Sequence, residues 1–169
     1  PIIKLSSPDV ASIMGLTLAT KRSSAERVVG VPTDILVFEP YANPFRTYPL
    51  REDYYSFKKL IENGVSCYIL NTDAFMGKDI PKELTLSIIE SIVDEKNDDF
   101  IPWMDVETFS YMNIEGYLPN MSDDKYRSDF KNSMINRLNY IQKLFDDKNH
   151  MDNLPEECLG VMKRIIEKL

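Results

Sequence analysis

A glycine–lysine loop between an apolar strand and an amphipathic helix is the stretch of this sequence best suited to chemistry. We predict the strand at Ser66 to Leu70, then the loop around Gly77–Lys78, then a helix that begins near Lys82 or Glu83. A loop that leaves the carboxyl end of a strand and opens a helix is where α/β folds bind ligands, and the free amides of a helix start suit anions. The alternative is an ordinary strand–loop–helix connection.

A second cationic segment, TKRSSAERVVGVPTD, carries Lys21, Arg22 and Arg27 and has neither helical nor strand periodicity. One interpretation is a mobile lid that brings these cations towards an anion. The other interpretation is a surface loop, and the pattern alone favours the loop.

The sequence lacks the common signatures of catalysis and phosphate binding. It contains neither a GxxxxGK[ST] phosphate loop nor a GxGxxG fingerprint. Its one histidine, His150, lies in a polar turn, and a single histidine builds neither a metal site nor a histidine-based dyad. Acidic pairs such as Asp123–Asp124 have the character of helix caps and solvated charge, with opposed catalytic carboxylates as the minor alternative. We therefore predict no catalytic residue and no metal ligand in this segment by itself.

Composition limits the class of protein. The 169 residues fit one domain with a real hydrophobic core. The net charge of -7 and the pI near 4.8 argue against general nucleic-acid or anionic-membrane partners, which need clustered Lys and Arg. Cys67 and Cys158 lack motif spacing, as expected of a reduced cytoplasmic protein. Because the chain begins with Pro1 rather than Met, we expect a piece cut from a longer protein.

Five helices and two or three strands are predicted to position these residues. The predicted helices are Pro8 to Leu16, Arg51 to Asn63, Lys82 or Glu83 to Glu95, Ser122 to Asp147, and one beginning at Pro155. The predicted strands are Asp34 to Phe38 and Ser66 to Leu70, and Phe100 to Trp103 is either a short edge strand or an extended segment. The βαβα alternation predicts right-handed crossovers on a mostly parallel sheet. The predicted fold is a single α/β domain with an α/β part at residues 1–121 and a helical C-terminal part at residues 122–169.

The last two predicted helices each carry an apolar stripe. The final stripe includes Leu159, Met162 and Ile166 at helical spacing. Core packing is one interpretation, and a partner-binding or dimer surface is the other. Core packing is favoured because most amphipathic stripes face the core.

An ordered series of short motifs between about Leu5 and Met121 resembles a known family. The series comprises Lys21 and Glu26-Arg27, then Ala42-Asn43-Pro44-Phe45, then Ile69-Leu70-Asn71-Thr72 at a strand end, then Gly77-Lys78-Asp79-Ile80 with Thr85, and finally Gly116-Tyr117-Leu118-Pro119. In this order they resemble the C-terminal part of ATP-dependent phosphoenolpyruvate carboxykinases. In that family, ATP and a divalent metal drive the interconversion of oxaloacetate with phosphoenolpyruvate and carbon dioxide.

The resemblance implies roles for particular residues and partners. It implies an adenine-nucleotide pocket that includes Lys78, Asp79, Ile80 and Thr85. It also implies a closing lid that carries Lys21, Glu26 and Arg27. The implied cofactors are ATP, or another nucleotide, and a divalent metal. The family's phosphate loop, metal ligands and substrate-carboxylate arginines all lie upstream, so the implied partner is the N-terminal part of the same chain, and the segment is not expected to be catalytic alone.

Three departures from the family pattern support an alternative function. Asp79 stands where the family has an arginine, which reverses the charge beside a polyphosphate. Asp73-Ala74 replaces a Gly-Trp pair, and Ser23-Ser24-Ala25 replaces an Ala-Gly-Thr run. The alternative is therefore a non-catalytic nucleotide-binding or protein-interaction module that has the fold without the reaction.

Overall fold

The computed structural model describes residues 1–21, 36–94, 100–103, 108–146 and 150–169. The α-helices in these ranges are α1 (Pro8–Leu16), α2 (Leu50–Glu62), α3 (Lys82–Val93), α4 (Asp124–Asp146) and α5 (Glu157–Glu167). The strands are β1 (Ile2–Leu5), β2 (Ala19–Lys21), β3 (Leu36–Phe38), β4 (Cys67–Leu70), β5 (Ala74–Phe75), β6 (Lys78–Asp79), β7 (Phe100–Pro102) and β8 (Phe109–Met112). Short 3-10 turns occupy Pro40–Ala42 and His150–Asp152.

The central sheet has four strands in the order β4-β1-β8-β7, and each neighbouring pair is antiparallel. Ile3 of β1 lies opposite Ile69 of β4 on one side and Tyr111 of β8 on the other, which fixes the register. Two small antiparallel hairpins, β2–β3 and β5–β6, stand apart from this sheet. The fold is thus a mixed α/β arrangement built on antiparallel pairs.

The predicted mostly parallel sheet is therefore wrong. A βαβ crossover makes a parallel pair only when both strands join one sheet, and here β3 pairs with β2 while β4 pairs with β1. The two central strands, β1 and β8, were not predicted at all. Leu36 of β3 is 71% exposed, so this strand does not bury that side chain in the core. The first two residues of the predicted strand at 34–38 lie outside the described residues.

The helix predictions are confirmed, with ends that differ by two residues or fewer where the ends are described. Helix α1 begins as predicted: Ser7 Oγ accepts a hydrogen bond from the Val10 amide at 3.4 Å, and Pro8 occupies the first turn. The helical C-terminal part is confirmed as α4 and α5, and the predicted edge strand at Phe100 is confirmed as β7.

The sheet lies between two apolar layers. On one face, residues such as Leu5 and Phe109 join a large core with α1, α2, α4 and α5. On the other face, Ile2 and Met112 pack with Ile88 of α3 in a smaller cluster. The two layers arise because alternate residues of each strand point to opposite faces.

The apolar stripes of α4 and α5 contribute to this large core. Met134 and Ile141 of α4 and Met162 and Ile165 of α5 are buried in it. Helix α5 packs against both α4 and α1. Core packing, the favoured interpretation of these stripes, is what the structure displays.

Helical spacing in the sequence places Leu84, Ile88, Ile89, Ile92 and Val93 on one buried face of α3, and the structure confirms only part of that face. Ile88 is buried, and Leu84 and Ile92 pack beside it. Ile89 and Val93, which the periodicity also placed inside, are 43% and 73% exposed. One sheet face covers only one side of a helix, so the wide apolar stripe extends beyond the contact.

None of the helices in the described ranges is both long and apolar enough to cross a bilayer.

Candidate functional site

The segment after β4 is organised by the side chain of Asn71. Its Oδ1 accepts a hydrogen bond from the Asp73 amide at 3.1 Å, and its Nδ2 donates to the Ala74 carbonyl at 2.8 Å. The first bond is the backbone-mimicking turn that short polar side chains make. The Ile80 amide then donates to the Asp73 carbonyl at 2.9 Å and closes the segment into a small loop.

This loop contains the hairpin β5–β6, in which Phe75 lies opposite Lys78 and Ala74 lies opposite Asp79. The two connecting residues, Met76 and Gly77, have φ values of +51° and +76°. Two positive φ values in a two-residue connection are typical of the type I′ turn, whose twist matches that of the strands. The predicted glycine–lysine loop is therefore a tight hairpin that presents Lys78 at a fixed position.

Lys78 lies over an aromatic ring that comes from a distant part of the chain. Its Nζ is 4.2 Å from the centre of the Tyr117 ring, a cation–π contact. The Tyr117 hydroxyl donates to the Asp79 carbonyl at 2.9 Å, so one side chain supports both residues of β6. Gly116 permits the approach: its φ is +77°, and a Cβ there would lie 2.7 Å from Lys78 Nζ.

Lys21, the described member of the predicted lid, reaches the same loop. Its Nζ lies 3.1 Å from Asp73 Oδ2, and both side chains are about half exposed or more. Exposed ion pairs of this kind contribute about 1 kcal/mol or less. The contact therefore places the end of β2 beside the loop, and the ion pair itself stabilises this position only weakly.

Arg137 of α4 anchors the other end of the β2–β3 hairpin. Its guanidinium donates to the Thr17 carbonyl and to Thr17 Oγ1, and its Cζ lies 5.5 Å from the centre of the Phe38 ring. Thr17 follows the last residue of α1, so the cation sits at the negative end of that helix. Burial lowers the pKa of Arg137 to about 10. Ala19 and Phe38 form the anchored base, and Lys21 lies at the far end.

The structure unites part of the predicted site. Lys78, Asp79 and Ile80 are consecutive on the hairpin, with the first two exposed and Ile80 buried. Thr85 lies in the first turn of α3, where its hydroxyl donates to the Pro81 carbonyl at 3.5 Å. Lys21 contacts the loop through Asp73. The predicted lid residues Glu26 and Arg27 lie outside the described residues.

The charges around the hairpin are balanced. Lys21 and Lys78 are cationic, and Asp73 and Asp79 are anionic. In the described part of the chain, no group of three or more His, Cys, Asp or Glu side chains is placed to hold a metal ion. The divalent metal implied by the resemblance thus has no set of three such ligands among these residues.

A cavity of about 160 Å³ lies between the sheet and the hairpin, and we call it the aromatic cavity. Its wall includes Ile3 and Ile69 of the central sheet and the side chain of Asn71. Its aromatic lining residues are Phe75, Trp103, Tyr111, Tyr117, Tyr126 and Phe130. Ring contacts run from Trp103 to Tyr126 to Phe75 to Tyr117, with centroid separations of 6.5, 6.0 and 6.3 Å.

Sequence reasoning missed two residues of this site. Asp73 was noted only as a departure from the family pattern, although an Asn-Thr-Asp run after a strand is a recognisable turn signal. Tyr117 had no local signal for its role, since it meets Asp79 across 38 positions of the chain.

Comparison with known proteins adds no relative. No protein-family model matches this chain, and no curated protein matches it.

Proposed function

We propose that this chain forms the nucleotide-contacting hairpin and the base of the lid in a carboxykinase-like protein. The proposal rests on the motif series and on one geometric observation, the contact between Lys21 and Asp73. The motifs assign Lys21 to the lid, and Asp73 lies in the loop that carries the proposed nucleotide-binding residues Lys78 and Asp79. The meeting of Lys21 and Asp73 at 3.1 Å is what a lid that closes over the hairpin requires.

The chemistry proposed for these residues is the binding and covering of a nucleotide. Lys78, held over Tyr117, offers a positioned cation to a phosphate group. When the lid closes, Lys21 leaves Asp73 and binds a phosphate oxygen. This exchange costs little free energy because an exposed ion pair is weak. Closure excludes water and positions the phosphoryl group. In the family, ATP and a divalent ion supply the reactive group, and catalysis needs the upstream part.

Thr85 provides the sharpest test of the nucleotide pocket. ATP affinity is measured by isothermal titration calorimetry on the natural polypeptide that contains this chain, with magnesium present. We expect Thr85→Val to weaken binding about threefold to tenfold, the usual effect of losing one neutral hydrogen bond. Ser87→Ala is the matched control, because Ser87 is an exposed hydroxyl of the same helix and donates to the Leu84 carbonyl at 2.9 Å. Equal affinities for wild type and both variants would refute the pocket assignment.

Asp79 favours a second candidate, a nucleotide-binding module without the carboxykinase reaction. An exposed carboxylate beside the proposed phosphate position repels a polyphosphate. Under this candidate, the natural polypeptide binds ATP but neither releases carbon dioxide from oxaloacetate nor transfers phosphate. Under the first candidate, both activities accompany binding. Turnover assays with oxaloacetate, ATP and magnesium therefore separate the two.

A further inference from the structure

The aromatic cavity combines ring-lined walls with polar groups that lack partners. Trp103 lines it and is 4% exposed. Among the described residues, no acceptor lies within hydrogen-bond distance of its buried indole N–H. Native proteins satisfy nearly all such buried donors, so each exception needs an explanation.

A second donor lines the same cavity. Tyr126 is 8% exposed and lies 6.5 Å, centre to centre, from the Trp103 ring. Its hydroxyl makes no hydrogen bond to the part of the chain that the structure describes, and burial raises the pKa of this hydroxyl to about 12. The group therefore stays protonated and available as a donor at neutral pH.

Two further polar side chains of the wall are already engaged. The Tyr117 hydroxyl donates to the Asp79 carbonyl, and the Asn71 amide is committed to the turn after β4. Trp103 and Tyr126 thus retain vacant hydrogen-bonding capacity at this cavity, and both groups call for an acceptor.

The volume matches that of one ring. A dry apolar cavity of about 150 Å³ binds benzene in another protein, whereas pockets for larger ligands span about 300–1,000 Å³. The aromatic cavity, at about 160 Å³, belongs to the first class. Aromatic walls also favour a planar guest through offset and edge-to-face ring contacts.

We propose that the aromatic cavity is a binding site for a small planar ligand, a single aromatic or heteroaromatic ring that carries a hydrogen-bond acceptor. The ring packs among Phe75, Trp103 and Phe130, and its acceptor takes hydrogen bonds from Trp103 and Tyr126. The cavity shares Phe75 and Tyr117 with the hairpin region, but the inference does not depend on the proposed function.

The chain contains one tryptophan, so its indole N–H gives a single, assignable ¹H–¹⁵N signal. We would follow that signal while titrating the chain with pyridine and, separately, with benzene, a ring of the same size without an acceptor. Both rings should produce saturable shifts. Pyridine should bind roughly threefold to tenfold more tightly than benzene, the ratio expected for one net hydrogen bond.

Two tyrosine variants complete the test. Tyr126→Phe should weaken pyridine binding severalfold and leave benzene binding unchanged. Tyr55→Phe, which alters a tyrosine that is 52% exposed on α2, should affect neither. The proposal is overturned if the indole signal does not saturate with either ring, as expected of a cavity that holds only water. It is also overturned if the two rings bind alike or if Tyr126→Phe leaves the preference for pyridine intact.

Discussion

Lys21 and Asp73 lie 52 positions apart in the chain and meet as an ion pair with 3.1 Å between Nζ and Oδ2. The pair connects the β2–β3 hairpin with the loop that carries Lys78. Arg137 fixes the opposite end of the β2–β3 hairpin to α4. The Arg137 contacts thus hold the base of the hairpin, and the exposed Lys21–Asp73 ion pair adds a contact at its other end.

Removing the Asp73 carboxylate should strengthen nucleotide binding, because this carboxylate competes with the nucleotide for Lys21. In Asp73→Asn, Lys21 no longer exchanges a protein carboxylate for phosphate, so ATP affinity should rise about twofold to fivefold. The free energy of unfolding should change by about 1 kcal/mol or less. Calorimetric titration and urea unfolding measure the two quantities. Asp129→Asn, which removes an exposed ion pair with Lys125 on α4, is the control and should leave ATP affinity unchanged.

Gly116 should be required for the position of Lys78. In Gly116→Ala, the new Cβ meets Lys78 Nζ and the residue keeps a positive φ, so we expect a loss of about 1–2 kcal/mol of stability. Lys78 should also leave the Tyr117 ring, and NMR should record loss of the ring-current shift of its terminal methylene protons. Gly64→Ala shares the strain, since its φ is +90°, but has no atom within 4 Å of the added Cβ. Equal loss of the Lys78 ring-current shift in Gly116→Ala and in Gly64→Ala would contradict this explanation.

Gly15 should be required for the packing of Tyr41. A Cβ at Gly15 would lie 2.8 Å from Tyr41 Cε1, and Tyr41 is held by its hydrogen bond to the Ser12 carbonyl at 3.0 Å. We expect Gly15→Ala to destabilise the fold by about 1–3 kcal/mol through overpacking. Gly160→Ala in α5 has room, because the nearest atom is the end of Arg164 at 3.6 Å. That control should be neutral or stabilising by up to about 1 kcal/mol in urea unfolding.

The contact of α1, α2 and α5 should weaken at alkaline pH. Lys58 bonds to Asp9 at 2.6 Å and to Glu157 at 3.0 Å, and the Asp9 hydrogen bond raises the Lys58 pKa above its ordinary 10.5. Burial, followed by the hydrogen bond to Glu157, raises the Tyr54 pKa above its ordinary 10.0. The unfolded chain therefore releases these protons at lower pH than the folded chain does.

It follows that stability is fully present below about pH 10 and falls as the pH rises further, because the unfolded state then binds fewer protons than the native state. Urea midpoints measured over about three pH units, between pH 8 and pH 11, should show this loss of stability. Tyr54→Phe should reduce the pH dependence, and its neighbour Tyr55→Phe, which alters a half-exposed side chain, should not. The same slope in both variants would exclude Tyr54 as a cause.

The sequence predicted the helices more accurately than the strands. Ser7 and Pro8 identified the start of α1, and helical spacing identified the buried positions of α4 and α5. The same spacing overestimated the buried face of α3 because it cannot tell which residues meet the sheet. β1 and β8 carried no alternating signal strong enough for prediction, although they form the centre of the sheet.

In the candidate site, too, local signals predicted one part, and contacts between distant segments decided the rest. The loop with Lys78 followed from Gly77 and from the polar residues after β4, which are local signals, whereas its hairpin form was not predicted. The support from Tyr117, the opening at Gly116 and the approach of Lys21 to Asp73 required chain segments that are distant in sequence.

By itself, the sequence determined the helices, the strand β4 and the turn that follows it, because capping, helical hydrogen bonds and turn conformations depend on residues a few positions apart. Only the tertiary structure decided that the sheet is antiparallel, that β1 and β8 lie at its centre, and that Lys21 reaches Asp73. A strand of three or four residues presents the same apolar edge to many partners in either direction, so its pairing is settled by packing across the whole chain.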